Sequence, residues 1–197
     1  MSDLTRREAL SRLAAAFAGA AAIDPSFARD AHAFVRQASP AGAYVPQALS
    51  AQQFRALERL TDLIIPVDGG KPGALQAGVP AWIDSLVNVN AELKARYVDG
   101  LAWLDATMTS RTGRDFVSAT PEQRIALLDL IAFKKHASPE LNPGIEFFAL
   151  ARRMTVDGFY TSDAGIRDVN PGGRPPIPVF NVPQASVDYV ISRSPFK

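Results

Sequence analysis

Few side chains in this sequence could do acid–base or metal chemistry. Its 197 residues include two histidines, His32 and His136, and no cysteine. Thiolate nucleophiles, iron–sulfur clusters and CxxCH haem attachment all need cysteine, so these kinds of site are excluded. With two histidines in the chain, we expect no zinc or non-haem iron site built on two or three of them. His136 follows Lys134 and Lys135 near a predicted helix end, where a basic cluster favours the helix dipole; a catalytic base is the alternative.

Two other patterns resemble chemical sites but have ordinary structural explanations. Asp157 and Asp163 flank Tyr160, and two nearby carboxylates are also the acid–base pair of a glycosidase, but such pairs are common on protein surfaces. The glycine-rich run Gly69–Gly73 lacks the spacing and the Lys-Ser/Thr ending of a phosphate loop and is typical of a turn. The sequence also has no GxGxxG after a strand and no GxSxG elbow. We therefore predict no catalytic, cofactor-binding or metal-binding residue, and no enzyme activity in this chain.

The composition indicates one globular domain with a sizeable core. Hydrophobic residues make up 47% of the chain and charged residues 21%, as in ordinary globular proteins. The formal net charge of +1 gives no electrostatic reason to expect nucleic acid as a partner.

The N-terminal residues have the pattern of an export signal. Arg6 and Arg7 precede an alanine-rich, mildly apolar run over residues 13–23, which is shorter than the roughly 20 residues that span a bilayer. A small-x-small site at Ala31-His32-Ala33 would allow cleavage before Phe34. Paired arginines are typical of the twin-arginine route, which exports folded proteins.

This pattern predicts a twin-arginine signal peptide over residues 1–33 and a mature domain over residues 34–197 in the periplasm. An amphipathic first helix is the alternative interpretation of the N-terminus. The twin-arginine route usually carries proteins that fold or bind a cofactor before export. Because no cofactor motif is present, we expect this chain to carry a folded partner out with it.

The remaining sequence predicts an all-α domain, an irregular bundle of about five helices. Capping boxes at Ser50 to Gln53 and Thr120 to Gln123 begin two of them. Apolar residues at helical spacing from Leu93 to Met108 predict a long helix that ends before Gly113. Further helices are predicted from Pro80 and from Asn142-Pro143, the last with Gly158 as a C′ residue. The predicted apolar stripe of the Thr120 helix consists of Ile125, Leu128 and Ile131.

The C-terminal residues differ in composition from the helices. Five prolines, Pro171, Pro175, Pro176, Pro178 and Pro183, remove backbone donors and fix φ. Apolar residues such as Phe180 and Ile191 make a purely solvated tail unfavourable. We therefore predict that residues 159–197 form an extended tail, which wraps its own domain or, as we favour, docks on a partner.

Two segments of the sequence carry a further pattern, an Ile-Pro-x-Asp-Gly loop and a Gly-Phe-Tyr-Thr-Ser stretch. The residues concerned are Leu63 to Ala74, Ala77 to Pro80, Phe147, Phe148, Arg152, Arg153 and Thr155 to Ile166. With these residues the chain resembles, over roughly residues 50–185, the gluconate 2-dehydrogenase subunit 3 family, the small subunits of membrane-associated bacterial dehydrogenases. Relatives often have an aromatic-Gly-Cys element near the C-terminus, where this chain has Val179 to Val182 and no cysteine.

The resemblance implies a role within a larger complex. In such complexes the small subunit binds a large FAD-dependent subunit of the glucose–methanol–choline type, which oxidises a sugar, sugar acid or polyol. Electrons pass to a multihaem cytochrome c subunit, so FAD and haem c belong to other subunits. The small subunit supplies the export signal, engages the twin-arginine translocase and stabilises the flavoprotein as a chaperone would. The complex is expected in the periplasm, attached to the inner membrane through partner subunits.

The segment after the last predicted helix is our candidate partner interface. Phe159 and Tyr160 offer large rigid contact area, and Arg152 could make charge-assisted hydrogen bonds. The alternative is that Phe159 and Tyr160 fill the core of this domain. The residues predicted for this interface are Arg152, Gly158, Phe159, Tyr160, Thr161, Ser162 and Phe180.

Two other classes of function remain open from the sequence. A self-sufficient periplasmic enzyme would need a site that the motifs do not indicate. A stand-alone periplasmic ligand-binding or scaffold protein would need a convergent polar pocket, which the sequence does not indicate either.

Overall fold

The computed structural model describes residues 32–33, 44–172 and 182–194. In these residues the chain is all-helical, and an isolated bridge between Asp68 and Lys71 is the only β pairing there. His32 and Ala33 also have helical backbone. The helices are α1 (Ala51–Ile64), α2 (Val79–Val89), α3 (Ala91–Thr112), α4 (Pro121–Ile131), a 3-10 helix (Lys134–His136), α5 (Asn142–Tyr160), α6 (Asp163–Val169) and α7 (Gln184–Arg193).

The two predicted capping boxes are confirmed. The Ser50 hydroxyl accepts from the Gln53 amide at 3.2 Å, and the Gln53 side chain accepts from the Ser50 amide at 2.9 Å. Thr120 and Gln123 make the same reciprocal pair at 3.3 and 2.9 Å. Each box satisfies two amides at a helix start that have no partner inside the helix.

Helix α3 ends where the sequence predicts. Gly113 has a φ of +73°, a left-handed conformation that favours glycine, and its amide donates to the Thr109 carbonyl at 2.8 Å. The predicted apolar stripe is buried along the whole helix. It consists of Leu93, Tyr97, Leu101, Leu104 and Met108.

Helix α2 is the centre of the core. Every residue from Val79 to Val87 is buried, and this all-round burial is what an apolar helix needs. Helix α5 packs on α2 and on α3. Between α3 and α5 the Tyr97 ring meets the Phe147 ring edge-on at 5.5 Å, and the Tyr97 hydroxyl donates to the Met154 sulfur at 3.3 Å.

A fully buried carboxylate fixes the segment that leads into α1. Asp84 on α2 accepts hydrogen bonds from the Tyr44 hydroxyl at 2.7 Å and from the amides of Gln47 and Leu49 at 2.7 and 2.9 Å. Burial and the bond to Asp84 raise the pKa of Tyr44 well above its usual range, so its hydroxyl remains a donor. The sequence does not predict this role of Asp84, because the groups that donate to it lie 35 or more residues away along the chain.

A buried guanidinium fixes the loop between α3 and α4. Nη1 of Arg124 donates to the carbonyls of Phe116, Val117 and Ala119 at 3.3, 3.0 and 2.6 Å. Burial is the main cause that lowers the pKa of Arg124. These bonds satisfy loop carbonyls that no helix would satisfy.

The structure corrects three predictions about the helices. It has seven α-helices in the described residues instead of about five, because α6 and α7 form within the predicted extended tail. Gly158 does not end α5, which continues to Tyr160. Ile125 is 47% exposed, and Leu127 takes its predicted place in the core beside Leu128 and Ile131.

The new helices have identifiable starts. Ser162 accepts from the Gly165 amide at 3.1 Å and begins α6, and Pro183 precedes α7. The proline-rich run at residues 173–181, including Phe180, lies outside the described residues.

Candidate partner-binding site

The two segments that carry the family resemblance meet at the start of α2. Gly158 lies in the last turn of α5, and a Cβ built there would be 2.8 Å from Cε3 of Trp82 and 3.3 Å from Cγ1 of Val79. Trp82 is fully buried. Because only a glycine fits between these helices, the end of α5 rests directly on α2, next to the loop at residues 66–78.

The loop at residues 66–78, here called the glycine loop, contains a tight turn. The amide of Lys71 donates to the Asp68 carbonyl at 2.7 Å, and the reverse bond measures 3.3 Å. Gly69 and Gly70 between them have φ values of +52° and +79°. Two consecutive positive φ values explain the Gly-Gly pair and confirm the predicted turn.

An ion pair joins the turn to α6. Nζ of Lys71 lies 2.8 Å from a carboxylate oxygen of Asp168, whose side chain is 24% exposed. The hydrogen bond to Asp168 is the main cause that raises the pKa of Lys71, and Tyr160 is close enough to contribute electrostatically. The pair therefore brings the glycine loop, the end of α5 and α6 to one side of the protein.

The predicted interface residues occupy two kinds of environment here. Gly158, Phe159 and Ser162 are buried, and Phe159 meets the Tyr160 ring edge-on at 5.1 Å. Thr161 is half-buried and donates to the Asp157 carbonyl at 2.6 Å. These residues shape the turn between α5 and α6, whereas Tyr160 is 43% exposed.

The glycine loop and α6, which the Lys71–Asp168 ion pair joins, also carry exposed apolar residues. Val67 in the glycine loop is 53% exposed, and Val169 at the end of α6 is 66% exposed. Together with Tyr160, these residues are here called the Tyr160 surface. Exposed aromatic and aliphatic side chains beside an ion pair are a common composition for a protein-binding surface.

Arg152 belongs to a separate groove. It lies eight residues before Tyr160, about 12 Å along the helix. Its guanidinium is 6.0 Å from the centre of the Phe148 ring. The groove has a volume of about 270 Å³ and lies between α1, α4 and α5. Its lining consists of Leu63, Ile64, Ile125, Leu128, Asp129, Ala132, Phe148 and Arg152.

His32 also reaches the start of α2, which the sequence did not predict. Its Nε2 donates to the Gly158 carbonyl at 2.8 Å and lies 3.2 Å from the Thr161 hydroxyl oxygen. The imidazole stacks on Trp82 with ring centres 5.5 Å apart and planes inclined by 17°. His32 lies in the predicted signal peptide, and no local sequence pattern there indicates a contact with α5.

Asp157 and His136, which the sequence offered as candidate acid–base residues, make contacts within the fold. Asp157 pairs with Arg153 at 3.7 Å, and burial is the main cause that raises the pKa of Asp157. His136 donates through Nδ1 to the Leu130 carbonyl at 3.1 Å, consistent with a basic cluster at a helix end. In the described parts of the chain, no group of three or more His, Asp or Glu side chains could hold a metal ion.

In the described residues, every helix is too short or too polar to cross a bilayer.

Comparisons with known proteins give one match. A family model described as gluconate 2-dehydrogenase subunit 3 matches residues 51–173. This range contains α1 to α6, and with them the glycine loop and the Tyr160 surface. No curated protein and no solved structure matches the chain.

Proposed function

The chain belongs to the gluconate 2-dehydrogenase subunit 3 family, and from that membership we propose that it is the non-catalytic small subunit of a periplasmic dehydrogenase. The catalytic subunit would be an FAD-dependent protein of the glucose–methanol–choline type that oxidises a sugar, sugar acid or polyol. A multihaem cytochrome c subunit would take the electrons. In this proposal FAD and haem c are held by the partners, and this chain holds the flavoprotein.

The observation that best supports this role is the exposure of the Tyr160 surface. Tyr160 comes directly after the buried Gly158 and Phe159, so a rigid helix end positions its ring. Exposed tyrosines on rigid supports are frequent anchors of protein interfaces, because they bury large area at a small cost in side-chain entropy. The proposed contact with the flavoprotein is therefore centred on Tyr160.

The Arg152 groove is a second candidate contact in the same complex. Arg152 and Asp129 place opposite charges beside apolar lining residues such as Leu63 and Phe148. An apolar segment with a polar neighbour would be complementary to such a groove.

Export is the second half of the proposal. Arg6 and Arg7 would engage the twin-arginine translocase, and one signal would serve both this chain and the folded flavoprotein bound to it. The complex would then attach to the inner membrane through its partner subunits.

The proposal is tested by expressing this chain together with a candidate FAD-dependent dehydrogenase subunit from the same genome. With the wild-type chain, we expect the two proteins to co-purify from the periplasm and dehydrogenase activity to appear there. Changing Arg6 and Arg7 to Lys should leave both proteins in the cytoplasm. Arg12→Lys, also in the N-terminal region, is the matched control and should export normally. A flavoprotein that is exported and active without this chain would refute the proposal.

A further inference from the structure

His32 occupies a slot between Trp82 and the end of α5. The side chain of this residue is almost completely enclosed, with 5% of its surface exposed. Its Nε2 faces the Gly158 carbonyl and the Thr161 hydroxyl, and its ring stacks on the Trp82 indole. The imidazole therefore contacts a backbone carbonyl, a hydroxyl group and an indole ring.

The slot has polar groups that need a donor. The last carbonyls of a helix have no amide partner inside it, and α5 ends at Tyr160. The neighbouring carbonyls of Asp157 and Phe159 accept from the amides of Thr161 and Ser162. The Gly158 carbonyl lies 3.4 Å from the Thr161 hydroxyl oxygen and accepts its shorter bond from His32 at 2.8 Å.

The Thr161 hydroxyl is oriented for the same donor. It donates its hydrogen to the Asp157 carbonyl at 2.6 Å. Its oxygen is then left to accept, and Nε2 of His32 lies 3.2 Å away. The carbonyl and the hydroxyl oxygen are thus placed to accept from a planar ring N–H, which the imidazole of His32 supplies.

The slot also has free space beside it. The imidazole forms one wall of a cavity of about 300 Å³ between the loop at residues 66–78 and α6. Gln76, Asp163 and Arg167 are among the polar residues that line this cavity.

We propose that this slot is a binding site for the end of the export leader. The imidazole of His32 anchors residues 32–33 on the folded domain, so cutting of the leader after Ala33 must wait until His32 leaves the slot. A protease needs its substrate strand extended in its own active site, and the helical, enclosed His32 must first be released by local opening. This inference depends on the proposed export, because it requires that residues 1–33 are a leader and that the domain folds before cleavage.

The test compares cleavage rates of the full-length precursor by purified leader peptidase in detergent. We expect His32→Ala to be cleaved several-fold faster than the wild-type precursor, and Thr161→Val to be cleaved faster as well. His32 is the middle residue of a small-x-small site, where substitution is tolerated, so Ala31 and Ala33 remain available for recognition. Thr161→Ser keeps the hydroxyl, so this variant should be cleaved as slowly as the wild-type precursor.

A synthetic peptide control separates anchoring from protease preference. Peptides that cover residues 26–40 with His or Ala at position 32 lack the slot and should be cleaved at equal rates. A faster rate for the alanine peptide would overturn the inference, because the effect would then belong to the protease.

A second readout does not depend on cleavage. In a Trp103→Phe background, Trp82 is the remaining tryptophan, and His32→Ala should change its emission because the stacked imidazole is lost. Equal cleavage rates and unchanged Trp82 emission would overturn the inference. So would a periplasmic chain whose N-terminal sequence still contains His32. In those cases the flavoprotein could still depend on this chain for export, so failure of the anchor is distinguishable from failure of the proposed function.

Discussion

Trp82 and Gly158 touch so closely that a Cβ on Gly158 would lie 2.8 Å from Cε3 of the indole ring. This contact joins the two sequence segments that carry the family resemblance. It fixes the direction in which α5 ends, and with it the position of the exposed Tyr160 ring. The glycine of the Gly-Phe-Tyr stretch therefore serves packing, while the tyrosine two residues later is free for a partner.

We expect Gly158→Ala to destabilise the protein by about 1–2 kcal/mol. Overpacking against the fully buried Trp82 costs about 1–3 kcal/mol, and the better helix propensity of alanine offsets up to about 1 kcal/mol of that. Urea unfolding of both proteins would measure the difference. Val156→Ala, a partly exposed site on the same helix, should change the stability by less than about 0.5 kcal/mol. Equal stability of Gly158→Ala and the wild type would contradict the packing argument.

Tyr160→Ala should weaken binding to the proposed flavoprotein partner without unfolding this chain. A central aromatic residue in an interface contributes about 2 kcal/mol or more, which is a loss of about thirty-fold in affinity. Tyr160 is 43% exposed, so its removal should change thermal stability little. Co-purification and titration with the flavoprotein would measure the affinity. The control is Val45→Ala, because Val45 is 76% exposed and precedes α1, and it belongs neither to the Tyr160 surface nor to the lining of the Arg152 groove. Unchanged affinity for Tyr160→Ala would rule out a contact centred there.

The parts of the fold that sequence predicts are those set by local chemistry. The reciprocal caps at Ser50 and Thr120 and the left-handed end at Gly113 depend on residues within one turn of each other, so their sequence patterns are sufficient. The prediction that Ile125 is buried was wrong, because periodicity predicts that residues share a helix face but does not predict which face packs on α5.

Long-range contacts could not be predicted in the same way. Gly158 has the residue type of a helix end, yet its contact with Trp82 depends on how two helices cross. Asp84 and His32 find their partners 35 or more residues away along the chain. Of the candidate site, the sequence indicated the Gly-Phe-Tyr-Thr-Ser segment, but only tertiary packing separates the buried Phe159 from the exposed Tyr160.

Asp84→Asn should destabilise the protein by about 2–3 kcal/mol. The carboxylate accepts from the Tyr44 hydroxyl and from backbone amides, and hydrogen bonds to charged groups contribute about 1.5–3 kcal/mol. An asparagine would place its own N–H₂ against amide donors and leave some of them unsatisfied. Chemical denaturation would measure the loss, and Asp99→Asn at an exposed position is the control. A loss below about 0.5 kcal/mol would show that the segment before α1 is not held by Asp84.

Asp157 should make stability depend on pH in an unusual direction for a carboxylate. Burial raises its folded pKa above the unfolded value, although Arg153 partly opposes this shift. The folded state then binds the proton more tightly, so the contribution of Asp157 increases as pH falls through its folded pKa and is lost as pH rises. Asp157→Asn should therefore be slightly more stable than the wild type at pH 7, and the difference should shrink toward pH 4. The effect is small because the side chain is 35% exposed and screened by solvent.

Asp115 provides a control of opposite sign for that experiment. Hydrogen bonds from Ser118 are the main cause that lowers the pKa of Asp115, so its contribution is present at neutral pH and is lost as pH falls. Asp115→Asn should be less stable than the wild type at pH 7. Urea midpoints for both variants between pH 4 and pH 8 would show the two opposite trends, and parallel curves for Asp157→Asn and the wild type would contradict the assigned cause.

Deleting residues 182–197 should weaken partner binding while leaving the stability of the isolated chain unchanged. None of the residues of α7 is buried, and Val190 and Ile191 are 66% and 62% exposed. With Val187 they form an apolar stripe at helical spacing, the pattern of a helix that docks in a groove of another protein. Thermal melts of the two chains and titration with the flavoprotein would measure both effects.

Point variants on the two faces of α7 make this prediction sharper. Ile191→Glu puts a charge in the apolar stripe and should reduce affinity as the deletion does. Ser192→Glu lies on the opposite face and should bind normally, because the same charge there remains in water. Equal affinity of both variants and the wild type would mean that α7 does not contact the flavoprotein. A melting temperature lowered by the deletion would instead indicate that the tail packs on its own domain, the alternative that the sequence left open.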